Sequence, residues 1–126
     1  MSVCEQLTVL EVGLPTLTDL HASQCAALTQ ADLTGCPKLT RLKLDLCKGL
    51  DTLAAPDSVE LSHLSLFGCR HLGGAGVETL LKRCGQSLRE LNLNGCVATE
   101  LVTEQSLRTA CPRLEKLDAT GRARKF

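Results

Sequence analysis

The feature that most constrains this chain is a pattern, Leu-x-x-Leu-x-Leu-x-x-Cys, that recurs along nearly all of it. It is complete at Leu39, Leu42, Leu44, Cys47, at Leu61, Leu64, Leu66, Cys69 and at Leu88, Leu91, Leu93, Cys96. Degenerate copies begin at Leu7, Leu17, Leu28, Leu50 and Leu114. A chain that repeats at a short period folds as a stack of like units, because each unit can bury its apolar stripe only against its neighbours. Successive starts lie 10 or 11 residues apart from Leu7 to Leu61, then 27 and 26 apart to Leu88 and Leu114. One closed coil of such a stack takes about 20 to 29 residues. Two half-units therefore make one coil in the first part of the chain, and one unit plus a helix makes a coil in the second. Equivalent strands then begin at Leu17, Leu39, Leu61, Leu88 and Leu114, with spacings of 22, 22, 27 and 26. The chain reads as one domain over 1–126, with short half-unit coils over 1–60 and helix-containing coils over 61–126.

Composition limits the core and the partner. Trp and Tyr are absent and Phe occurs twice, so the core is aliphatic. With 14 basic and 14 acidic residues the formal net charge is zero, which gives no bulk attraction to nucleic acid or to a membrane surface. No apolar run reaches the length of a membrane span, and the start Met1, Ser2, Val3, Cys4, Glu5 lacks the basic opening of a secretory signal. The expectation is a cytoplasmic or nuclear protein.

The two long connections carry helix signals. After Gly73, Gly74 and Gly76, Val77, Leu80, Leu81 and Cys84 fall on one helical face, with Lys82 and Arg83 in the last turn and Gly85 as a stop. The second helix places Leu107, Ala110, Cys111 and Leu114 alike, with Thr103 as cap and Pro112 closing it. Helices occupy the convex side of such a stack. This phases the strands from Leu17, Leu39, Leu61, Leu88 and Leu114 onto the concave side and makes the half-units at Leu7, Leu28 and Leu50 extended outer segments. The fold expected is α/β, a solenoid with a parallel sheet on its concave face and short helices or extended segments on its convex face.

Strand side chains alternate, so the residues between the inward leucines face out. The rows are Asp19, His21, Ser23; Arg41, Lys43, Asp45; His63, Ser65, Phe67; Glu90, Asn92, Asn94; and Lys116, Asp118, Thr120. A face of interleaved charges with one aromatic, Phe67, suits a protein or peptide partner. Leu7, Val9 and Leu10 at one end and Leu114, Leu117 and Phe126 at the other read as uncapped apolar edges, so the chain is expected to be either a piece of a longer solenoid or prone to self-association.

Chemistry is not expected. Cys25, Cys36, Cys47, Cys69 and Cys96 each stand eight residues after a unit's first leucine, at an inward turn that takes a small side chain. Cys84 and Cys111 sit on inward helix stripes, and only Cys4 falls outside the scheme. Zinc is disfavoured because no C-x-x-C occurs, so neither metal nor cofactor is expected. Of the three histidines, His21, His63 and His71, the first two fall on outward strand positions with no carboxylate or thiol set beside them by the repeat, and no catalytic residue is assigned. Gly73-Gly74-Ala75-Gly76 before a helix lacks the rest of a phosphate-binding fingerprint and reads as a turn. Arg122, Arg124 and Lys125 read as a solvated terminus.

The segments LRELNLNGC and SLRTACPRLEKLD resemble the cysteine-containing leucine-rich repeat of F-box/LRR proteins, over about residues 61–120. The resemblance implies substrate recognition for a ubiquitin ligase of the SCF type. Because repeats begin by Leu7, ligase adaptor subunits are expected to be reached through another chain or a segment outside this one. A non-ligase leucine-rich-repeat scaffold or regulator is the first alternative. The segments LTDLHASQC, LTQADLTGC and LTRLKLDLC are similar to internalin-like repeats, which imply a surface adhesion module as the second.

Overall fold

The computed structural model describes residues 9–11, 13–56, 59–72, 74–96, 104–119 and 122–125. The described elements run β1 (Val9–Glu11), β2 (Asp19–His21), β3 (Gln30–Asp32), β4 (Arg41–Lys43), β5 (Thr52–Ala54), β6 (His63–Ser65), α1 (Gly74–Cys84), β7 (Glu90–Asn92), α2 (Glu104–Ala110), β8 (Lys116–Ala119) and β9 (Arg122–Lys125). The chain is α/β, with parallel sheets, few helices and no closed barrel among the described residues. Strands are short because each unit allows one buried leucine between two outward residues before the chain turns, as in β2 and β4.

Strands of one repeat phase pair only with one another. β2, β4, β6, β7 and β8 form a parallel ladder in that order, while β1, β3 and β5 form a separate three-stranded parallel sheet. Parallel pairing follows because equivalent segments on successive units run the same way. Leu20, Leu42, Leu64, Leu91 and Leu117 line up in register across the larger sheet. The carbonyls of Thr18, Thr40, Ser62 and Arg89 each accept from two successive amides of the next unit, so the backbone ladder is the same at every step.

The core lies between the two sheets and then between the larger sheet and the helices. Leu28, Leu33, Leu39, Leu44, Leu50, Leu61, Leu66 and Leu88 are all less than 2% exposed, and no described polar or charged side chain is buried. Burying each such leucine contributes about 1.5 to 3 kcal/mol. On α1, Val77, Leu80, Leu81 and Cys84 are buried, as their spacing predicts, with Lys82 and Arg83 in the last turn beside the carbonyl end of the helix. The Arg83 guanidinium donates to the Ala55 carbonyl at 2.5 Å, tying α1 to the end of β5. On α2, Leu107 is buried, as is Cys111 just beyond its last residue. The helix stop is tight. The Gly85 amide donates to the Leu81 carbonyl at 2.7 Å, and a β-carbon there would run into the carbonyl oxygens of Ala110 and Leu81. Thr103, the expected cap, and Gly73 lie outside the described residues.

Three features differ from the sequence reading. The outer extended segments are hydrogen-bonded into a sheet, because alternate half-units, one from each successive coil, lie side by side in register. The basic tail is a strand: β9 pairs antiparallel with β8, with Lys125 beside Lys116 in register. The ends are also less apolar than expected, since Leu10, Leu114 and Leu117 are buried by the neighbouring unit. Val9 remains 48% exposed, and Leu14, not foreseen, is 54% exposed. Leu7 and Phe126 lie outside the described residues.

Candidate functional site

The outward positions of the larger sheet form columns that cross its strands. The first column runs Asp19, Arg41, His63, Glu90, Lys116, and the second runs His21, Lys43, Ser65, Asn92, Asp118. Both follow from the repeat, since each column takes one residue from the same place in five successive units. Together they floor a shallow depression of about 350 Å³, whose lining includes Arg41, Lys43, Asp45, His63, Glu90 and Lys116. Of the residues expected on this face, only Thr120 lies outside the described ones.

Part of the face is already cross-linked. Asp45 accepts from the Ser65 hydroxyl at 2.5 Å and lies 3.6 Å from the Lys43 ammonium. His63 Nδ1 is 2.7 Å from the Ser62 hydroxyl, and its Nε2 is 3.4 Å from the Glu90 carboxylate. This corrects the expectation that no carboxylate stands beside His63. The two residues occupy the same place in successive units, and the parallel register sets them side by side. The Asn92 side chain accepts from the Asn94 amide at 3.0 Å, closing the turn after β7. Consequently Asp45, Ser65, Asn92, Asn94 and Asp118 are half-buried, while Arg41, Lys43, Glu90 and Lys116 stand out into solvent.

Phe67 is 39% exposed at the turn after β6. In the units that begin at Leu17, Leu39, Leu61 and Leu88 the residue at the place after Phe67 has positive φ: Gln24 at 61°, Leu46 at 61°, Gly68 at 72° and Gly95 at 79°. A residue with a side chain is disfavoured in this left-handed region, and glycine is not. The amides of Gln24, Leu46 and Gly68 each donate to the carbonyl of the unit after, at Asp45, Phe67 and Asn94. That ladder fixes the edge of the face.

Beneath this edge lie the repeat cysteines. All seven described cysteines are buried free thiols. Cys47 donates to the Ala22 carbonyl at 3.0 Å, Cys69 to Leu44 at 3.0 Å and Cys96 to Leu66 at 2.9 Å. Each thiol thus donates to a carbonyl of the unit before it and ties successive units together beneath the turn. Burial pushes the thiols of Cys47, Cys96 and Cys111 up to about 11 and those of Cys69 and Cys84 up to about 12. Such groups stay protonated at neutral pH and make poor nucleophiles and metal ligands. No group of three or more His, Cys, Asp or Glu placed to hold a metal ion occurs among the described residues.

No helix among the described residues is long and apolar enough to cross a membrane. Comparison of the chain with protein-family models, with curated proteins and with solved structures finds no match.

Proposed function

We propose that the chain is a leucine-rich-repeat solenoid that binds a protein or peptide on the exposed face of its larger sheet and catalyses nothing. The observation that carries this reading is that five strands adjacent in the larger sheet each give one residue to every outward column of a single polar face, edged by the exposed ring of Phe67. Exposed aromatics ringed by polar groups are frequent interface anchors. The resemblance of residues 61–120 to F-box/LRR repeats supports a narrower role, in which the bound protein is a substrate presented for ubiquitin ligation by adaptor subunits reached through another chain or a segment outside this one. Val9 and Leu14 at the β1 end are the surface on which self-association is proposed.

The test is affinity capture under reducing conditions, comparing the wild-type chain with a Phe67→Ala, Lys43→Glu double variant. The narrower reading expects ligase subunits with both forms and a further protein with the wild type alone. Loss of that protein without any ligase subunit present would instead make the chain a scaffold or regulator. Identical sets retrieved by both forms would sink the proposed face.

A further inference from the structure

The charges on the candidate face are not equally engaged, and the difference selects a partner. Among the carboxylates lining the depression, Asp45 is held by Lys43 and Ser65, and Glu90 by His63. Asp118 is half-buried on the floor beside Asn92 in register. Two exposed cations of the first column, Arg41 and Lys116, have side chains with no hydrogen-bond or ion-pair partner among the described residues. They stand on either side of the His63–Glu90 pair, on β4 and β8, with β6 and β7 between.

Strands in a sheet lie about 4.8 Å apart, so three steps separate Arg41 from Lys116 by about 14 Å. An extended peptide laid across the strands advances about 3.4 Å per residue, and its alternate side chains point the same way. Residues i and i+4 then face the sheet about 14 Å apart. We propose that the face binds an extended acidic peptide segment with carboxylates four residues apart, one received by Arg41 and the other by Lys116. The residue midway between them sits over His63 and Glu90. A carboxylate there meets the Glu90 charge, so this position takes a neutral hydrogen-bonding side chain. Arg41 offers a planar fork for a bidentate contact, whereas Lys116 offers a point charge, so Arg41 contributes more to orientation.

This inference rests on the face being the binding surface, and the experiment separates the two. A random peptide library is selected on the immobilised wild-type chain and on Arg41→Glu, Lys116→Glu and Phe67→Ala variants, with folding of each checked by circular dichroism. The expected result is enrichment of acid-x-neutral-x-acid peptides on the wild type. Synthetic copies of those peptides should lose affinity about three- to ten-fold on Arg41→Gln or Lys116→Gln, with weakening in high salt. Each charge-reversed variant should instead enrich peptides that carry a basic residue at the changed site and keep the carboxylate at the other. Enrichment of basic or uncharged peptides on the wild type, lost in Phe67→Ala, overturns the acidic assignment and leaves the face as a peptide site. Peptides that bind all forms equally, or no enrichment on any form, overturn both.

Discussion

The two halves of the molecule solve the same problem with different outer walls. Up to about residue 56, units of 22 residues close with a second parallel sheet, β1, β3 and β5. Beyond it, units of 26 or 27 residues close with α1 and α2. The larger sheet runs through both halves with unbroken register. The inner ladder is therefore set by the Leu-x-x-Leu-x-Leu units alone, and whatever fills the return path has only to cover the same leucines. The cost of that freedom is local. A helix must stop abruptly to re-enter the sheet, and in this chain it does so against another helix's end.

The largest expected break follows from that stop. Gly85→Ala places a β-carbon against the backbone oxygens of Ala110 and Leu81, which cannot move aside without shifting both helix ends. It should cost about 3 kcal/mol or more by urea unfolding. In the sheet-walled half, Gly49→Ala meets the Ala26 and Leu28 carbonyl oxygens at 3.1 and 3.3 Å and should cost about 1 kcal/mol. A larger loss for Gly49→Ala than for Gly85→Ala would reverse the comparison.

Next comes the strand where the halves meet. Leu64 on β6 is 2% exposed, and Leu64→Ala should cost about 2 to 5 kcal/mol and split one unfolding transition into two. A single transition merely shifted to lower denaturant would show that the halves are not separable.

The left-handed turn column gives a smaller pair with opposite signs. Gly95 has φ of 79° and backbone of Gly68 within 3.1 Å of an added β-carbon, so Gly95→Ala should cost about 1 to 2 kcal/mol. At the same place in the sheet-walled half stands Gln24, with φ of 61°, and Gln24→Gly should stabilise by about 0.5 to 1 kcal/mol. Thermal melts of the two variants should move in opposite directions.

The smallest effect is on pH. The thiols of Cys47, Cys69, Cys84, Cys96 and Cys111 are raised by burial above the ordinary thiol value, so folding favours their protonated form. Their contribution is fully present below about pH 9 and is lost as pH rises towards 11 to 12. Four of the five thiols raised this far, Cys69, Cys84, Cys96 and Cys111, belong to residues 61–126. Hydrogen exchange measured between pH 8 and about pH 10 should show the helix-walled half loosening first. Uniform loosening would mean that thiol burial is not what distinguishes the halves.

Much of this was legible from repeat position. Leu-x-x-Leu-x-Leu predicts which side chains point inward, and the two helical stripes were enough to phase the larger sheet. The outer sheet was not, because the same leucine pattern suits a paired strand and a lone extended segment alike. Strand β9 escaped because Arg-Ala-Arg-Lys has no apolar alternation, and its pairing rests on backbone groups. The His63–Glu90 contact carried a signal that residue-by-residue reading passed over. Both are the second residue after a unit's first leucine, as are Asp19, Arg41 and Lys116, and parallel register makes such positions neighbours.

The independence of the inner ladder from its return path also bears on how such a molecule can change. Insertions or deletions of a few residues in an outer connection leave every column of the polar face aligned, so length can drift on one side while recognition is retained on the other. An engineer could lengthen the return after β4 to carry a helix, or graft new residues at Arg41, His63, Glu90 and Lys116, and treat the two changes as separate edits.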